Sequence, residues 1–131
     1  MHDLALHFID RHEELARLTR LAANGGGLAV LWGRRRVGKT RLLLEWVAAT
    51  GGVYWVADES AAPFQRRALA ETLEIRLPGF GQVEYPDWRS LLQRLARDAI
   101  QLGFRGPVVI DELPNAVRAS PELPGLLQHF V

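Results

Sequence analysis

Leu28-Ala29-Val30-Leu31-Trp32-Gly33-Arg34-Arg35-Arg36-Val37-Gly38-Lys39-Thr40 decides how the chain reads. The first five residues are an uninterrupted apolar run, the pattern of a strand buried on both faces of a parallel sheet. The last eight match G-x-x-x-x-G-K-[ST]. Thr40 to Thr50, apolar on several sides through Leu42, Leu43, Leu44, Trp46 and Val47, reads as a largely buried helix. A strand, a glycine-bounded loop and a helix are the context this pattern requires. Gly33 and Gly38 let the backbone curl and approach phosphate oxygens with no Cβ in the way. The curl turns successive N–H groups inward, and the following helix adds the positive end of its dipole. Lys39 offers a movable cation to β- and γ-phosphates, and Thr40 a hydroxyl to Mg²⁺.

Lys39 is the chain's one lysine beside fifteen arginines. A GC-rich genome explains most of that bias, but not the exception. Lysine is a flexible point charge and arginine a rigid planar fork, so the two are not interchangeable on a phosphate.

A second element lies downstream. Val108-Val109-Ile110-Asp111-Glu112 is an apolar strand ending in two acids. In such a Walker B arrangement the first acid, Asp111, holds Mg²⁺ through water. The second, Glu112, can polarise an attacking water as a general base. Alone, Asp-Glu after a strand is equally a solvated turn; paired with the phosphate loop it becomes a site. A guanine-nucleotide switch would need Asp-x-x-Gly and Asn-Lys-x-Asp. Neither is present in the chain, and the second would need another lysine, which leaves adenine nucleotides favoured.

Outward from these motifs, elements alternate. Asp10 and Glu13 form a capping box for a helix over 11–23, which Asn24-Gly25-Gly26-Gly27 ends. Val53 to Ala57 is a second strand, followed by a helix over 65–77 and a loose loop over 78–86. Asp87 caps a helix with apolar repeats at three and four through Leu102. Pro107 opens the third strand, and 122–131 reads as helical. Strands alternating with helices mean an α/β fold with a parallel sheet of about three strands.

The composition excludes much. The chain has 131 residues, room for one domain. Sixteen basic against fifteen acidic side chains leave a net charge of +1, so no concentrated positive field recruits nucleic acid. Without cysteine there is no disulfide, thiolate cluster or thiol nucleophile. No apolar run nears the roughly 18 residues of a membrane span, and the first residues lack a signal-peptide pattern. A cytoplasmic protein is expected.

The residues from Phe8 to Leu15, the loop Gly33 to Thr40 with its three arginines, and Val109 to Pro114 together resemble the archaeal-type ATPases. These are P-loop proteins related to the AAA+ and STAND groups. The resemblance covers essentially the whole chain. It implies a three-layer P-loop NTPase sandwich that binds ATP and Mg²⁺. It also implies a nucleotide site of Gly33, Arg34, Arg35, Arg36, Val37, Gly38, Lys39, Thr40 and Arg41. Phe8, Ile9 and Arg11 would lie against the adenine, Thr40 and Asp111 at the metal, and Glu112 and Lys39 in catalysis. Phe8 as a hydrophobic staple and Arg11 paired with Glu14 read equally well without a ligand.

Related proteins place a further strand, bearing a γ-phosphate sensor, between the first and third. Its counterpart is expected beyond Val131, along with the C-terminal strands and subdomain. The chain then reads as the amino-terminal portion of an ATPase domain. It would bind ATP, turn it over weakly alone, and leave strand edges unpaired that invite self-association, unless the first and third strands meet directly or find a partner. It would act on a protein partner or on a further segment. The alternatives are a nucleotide-gated interaction module without hydrolysis, and part of a nucleic-acid-associated motor. Arg34, Arg35 and Arg36 read as a solvated loop or as contacts to phosphate, partner or nucleic acid. His2, His7, His12 and His129 show no metal-ligand spacing, and Trp32, Trp46, Trp55 and Trp88 read as core.

Overall fold

The computed structural model describes residues 4–8, 28–33 and 39–129. Its elements are β1 (Leu4–Phe8), β2 (Leu28–Gly33), α1 (Lys39–Thr50), β3 (Val53–Val56) and α2 (Ala62–Leu73). A 3₁₀ turn (Phe80–Gln82), α3 (Trp88–Leu102), β4 (Pro107–Asp111), α4 (Leu113–Ala119) and α5 (Leu123–His129) follow. The apolar run of β4 takes the centre of the sheet. All five of its residues are buried, with β2 on one edge and β3 on the other, both parallel.

The described strands lie in the order β1-β2-β4-β3, which corrects the strand count and decides between the two arrangements the sequence left open. There are four strands rather than three, because Leu4–Phe8 pairs in parallel with Leu28–Trp32. And the strands at 28–33 and 107–111 are direct neighbours, so the edges expected to lie open between them are paired with each other.

The strand order also fixes the layers. The step from β2 to β3 crosses the sheet one way, and the step from β3 to β4 comes back. Right-handed crossovers in opposite directions put their helices on opposite faces. Burial agrees. Val53, Trp55, Val108 and Ile110 belong to one core cluster with α2 to α5. Val109, which alternates with them, is buried outside that cluster, as are Trp46 and Val47 of α1. So α1 covers one face and the other helices cover the second. The α1 helix is less buried than its composition suggests: Leu44 is 48% exposed, and Ala48 and Ala49 are exposed.

The large core is built on Trp88, at the start of α3. Its ring lies 6.3 Å from Trp55, and its indole N–H donates to Ser120 Oγ at 2.8 Å. Trp46, Trp55 and Trp88 are all buried, as expected of core tryptophans. Asp87 caps α3 by accepting the Ser90 N–H at 2.8 Å, and Gly103 ends it at φ 68°.

The segment read as a loose loop is a packed knot. The Glu74 carboxylate accepts the N–H groups of Gly79 and Gly81 at 2.8 and 2.7 Å. Those two bonds, Gly79 first, hold its carboxyl below the usual range. Phe80 is buried under the Arg94 guanidinium, and Tyr85 Oη donates to the Phe80 carbonyl at 2.7 Å.

Where the turns into β3 and β4 meet, backbone lies on backbone. A Cβ on Gly52 would stand 2.5 Å from the Pro107 carbonyl oxygen, closer than atoms tolerate. Gly125, inside α5, has nothing within 4 Å of its Cβ position. Gly52→Ala is therefore expected to destabilise by about 1–3 kcal/mol. Gly125→Ala should stabilise by about 0.5–1 kcal/mol through helix propensity. Thermal melts of the two variants should shift in opposite directions.

Candidate functional site

Two residues named from sequence meet at the carboxyl end of the sheet. Gly33, the last residue of β2, stands in register beside Asp111, the last of β4. On the other side of Asp111 is Val56, the last of β3. Lys39 and Thr40 open α1, so the phosphate-loop pattern spans a strand end and a helix start. The chain leaves β2 for α1 on one face, while it leaves β4 for α4 on the other. Neighbouring strands whose continuations part in this way leave a crevice between them, and α/β sheets bind ligands in such crevices.

Alternation along β4 sends Val108 and Ile110 to the large core and Asp111 to the face that α1 covers. Asp111 is fully buried. Among the described residues, its carboxylate takes two neutral donors. Glu112 N–H reaches Oδ1 at 2.9 Å, and the Tyr54 hydroxyl donates to Oδ2. Each oxygen keeps a second lone pair. A carboxylate removed from water between neutral dipoles is costly unless a cation shares its site.

Glu112 stands at φ 57° and ψ 41°, the one non-glycine residue with positive φ among those described. The turn lets the chain pass from a fully buried strand into α4 within a single residue. Its side chain is half-buried.

A lattice of amide bonds ties the ends of β3 and β4 together. Ala57 N–H donates to the Asp111 carbonyl at 3.0 Å. Asn115 Nδ2 donates to the Ala57 carbonyl at 2.9 Å. Gln65, 1% exposed, gives its Nε2 to the carbonyls of Asp58 and Asn115 at 2.8 and 3.2 Å, and its buried Oε1 has no partner among the described residues. Asp58 is held below the usual carboxylate range by the Ser60 hydroxyl and then by the Ser60 N–H. Tyr54, Gln65 and Asn115 were not singled out from sequence. Only the alternation of β3, which puts Tyr54 on the face opposite Trp55, gave a hint.

Of the other residues named from sequence, Phe8 is the last residue of β1, beside Trp32, and Arg41 is the third of α1. Ile9, Arg11, Arg34, Arg35, Arg36, Val37 and Gly38 lie outside the described residues. Among the described residues no three His, Asp or Glu side chains form a metal cluster, and no helix is long and apolar enough to cross a membrane. A separate cavity of about 540 Å³ lies between α2 and the 81–86 segment, lined by Phe64, Arg67, Val83 and Tyr85. None of its lining residues belongs to the crevice.

Comparison with known proteins gives no assignment. The chain is 32% identical over 127 residues to an uncharacterized protein of Methanocaldococcus jannaschii. The match covers 95% of this chain and 26% of the relative, so the chain spans about a quarter of its length. The sequence matches no family model, and no solved structure matches it.

The left-handed residue offers a direct check. Glu112→Ala and Glu112→Gly both remove the carboxylate, but only glycine adopts this conformation without strain. The glycine variant is expected to be the more stable by about 1 kcal/mol, a few degrees in Tm. Equal melting of the two would mean that Glu112 does not hold this backbone.

Proposed function

We propose that this crevice binds ATP with Mg²⁺ and that the chain is a P-loop ATPase domain of the archaeal type. One observation carries the reading: the buried Asp111 carboxylate lies in register with Gly33, where the continuations of β2 and β4 part. Its donor set fits a hard cation, since oxygen ligands with lone pairs to spare suit Mg²⁺. Mg²⁺ held there by Thr40 and Asp111 would supply charge neutralisation for the phosphate oxygens.

The chain's own residues then take distinct parts. Gly33 to Gly38 cradle the phosphates through backbone N–H groups, with α1 aligning its dipole behind them. Lys39 neutralises β- and γ-oxygens, and Thr40 and Asp111 hold the metal. Glu112, fixed one residue beyond Asp111, orients the attacking water and accepts its proton. Phe8, Ile9 and Arg11 belong to the adenine side, and Arg34, Arg35, Arg36 and Arg41 add positive charge about the phosphates. In this reading the protein works in the cytoplasm and passes its nucleotide state to a protein partner, a further segment or a second copy of itself.

ATP with Mg²⁺ at about 100 times its Kd should stabilise the fold by about 2.7 kcal/mol. For a domain of this size that raises Tm by roughly 5–15 °C. Lys39→Ala should abolish the shift and Asp111→Ala should remove its Mg²⁺-dependent part, while Glu112→Gln should keep binding and lose phosphate release. Equal shifts in the wild type and Lys39→Ala would refute nucleotide binding here. Intact turnover in Glu112→Gln would remove Glu112 as the base and leave the binding assignment standing.

A further inference from the structure

We propose that Tyr54 is a positioning residue for Asp111, setting the carboxylate in the orientation that receives Mg²⁺. The inference rests on the nucleotide reading and adds a part that neither sequence motif contains. Tyr54 lies in β3 beside Val109, two residues short of Asp111 in register. Its side chain must span that offset, roughly 7 Å along the strand. A phenol does so, and its hydroxyl donates to Asp111 Oδ2. A serine or threonine at this position would fall short.

The opposite oxygen, Oδ1, accepts the Glu112 N–H at 2.9 Å. With one donor on each oxygen, rotation of the carboxylate about its Cβ–Cγ bond breaks both bonds. The backbone donor cannot move independently, because the residue that carries it occupies the left-handed turn into α4. Tyr54 is therefore the side-chain half of the clamp. It donates to Oδ2 from the β3 side of the carboxylate. The residue sits in a four-residue strand whose alternate side chains, Val53 and Trp55, are packed into the large core. That packing fixes where the phenol stands. Partners that orient a ligating carboxylate change metal affinity by about tenfold or more when removed.

The test is the Mg²⁺ requirement of the ATP-induced Tm shift. The full chain with saturating ATP is titrated with MgCl₂, and the ATP shift is read separately in EDTA. In Tyr54→Phe the half-saturating Mg²⁺ concentration should rise about tenfold while the shift in EDTA stays at the wild-type value. In the Asp111→Asn background the same substitution should add nothing. Superimposable Mg²⁺ curves for wild type and Tyr54→Phe overturn the inference. So does an equal loss of the shift with and without Mg²⁺, which marks Tyr54 as structural.

A wild-type protein that shifts with ATP but not with Mg²⁺ overturns the inference alone, and one with no ATP shift at all overturns the nucleotide reading with it. A second measurement needs no change at Tyr54. The chain has two tyrosines, so 3-fluorotyrosine labelling gives two ¹⁹F resonances, which Tyr85→Phe assigns. The Tyr54 signal should move when Mg²⁺ is added to the ATP-bound protein. A signal that stays in place contradicts the clamp.

Discussion

Everything in this fold depends on β4 being enclosed. It is hydrogen-bonded along both edges, to β2 and β3, and every one of its residues is buried. A strand in that position has nowhere to place a charge except at its ends. The sequence puts one there, Asp111, immediately after three apolar residues. The pairing then determines what the acid meets: Gly33 on one side and Val56 on the other. A register slip of one residue would turn Asp111 into the large core and Ile110 toward α1. Site and core are therefore specified by the same ladder.

The topology adds direction. The path from β2 to β3 and back to β4 sends helices to opposite faces, and the crevice opens where those paths diverge. Carbonyls that would end unsatisfied beyond β3 and β4 are taken up by Gln65 and Asn115. That lattice holds the turn through Glu112. The acid at the crevice is oriented by a phenol and a backbone N–H.

Much of this was legible in the sequence, and the rest was hidden for identifiable reasons. Apolar runs and glycine boundaries located β2, β3 and β4, and the Asp87 cap located α3. The strand Leu4 to Phe8 has no counterpart in the sequence reading, although Leu4, Leu6 and Phe8 alternate with Ala5 and His7, because Phe8 reads there as a hydrophobic staple or an adenine contact. Pro78 to Pro86 reads as loose from sequence, since one carboxylate accepting two glycine N–H groups leaves no periodic trace. The meeting of 28–33 with 107–111 was obscured by the family resemblance, which places another strand between them. Tyr54 was invisible as a site residue. A strand pattern says which face a side chain takes, but not which strand lies beside it.

The central claim is that ligand enters at the carboxyl ends of β2 and β4. The direct measurement is an NMR titration of the ¹⁵N-labelled chain with ATP and Mg²⁺. The largest amide shifts are expected at Gly33, Lys39, Thr40, Ala57 and Asp111 to Asn115, with little change along the cavity of Phe64, Arg67 and Val83. Shifts centred on that cavity, or on the amino ends of the strands at Leu28, Val53 and Val108, would contradict the account.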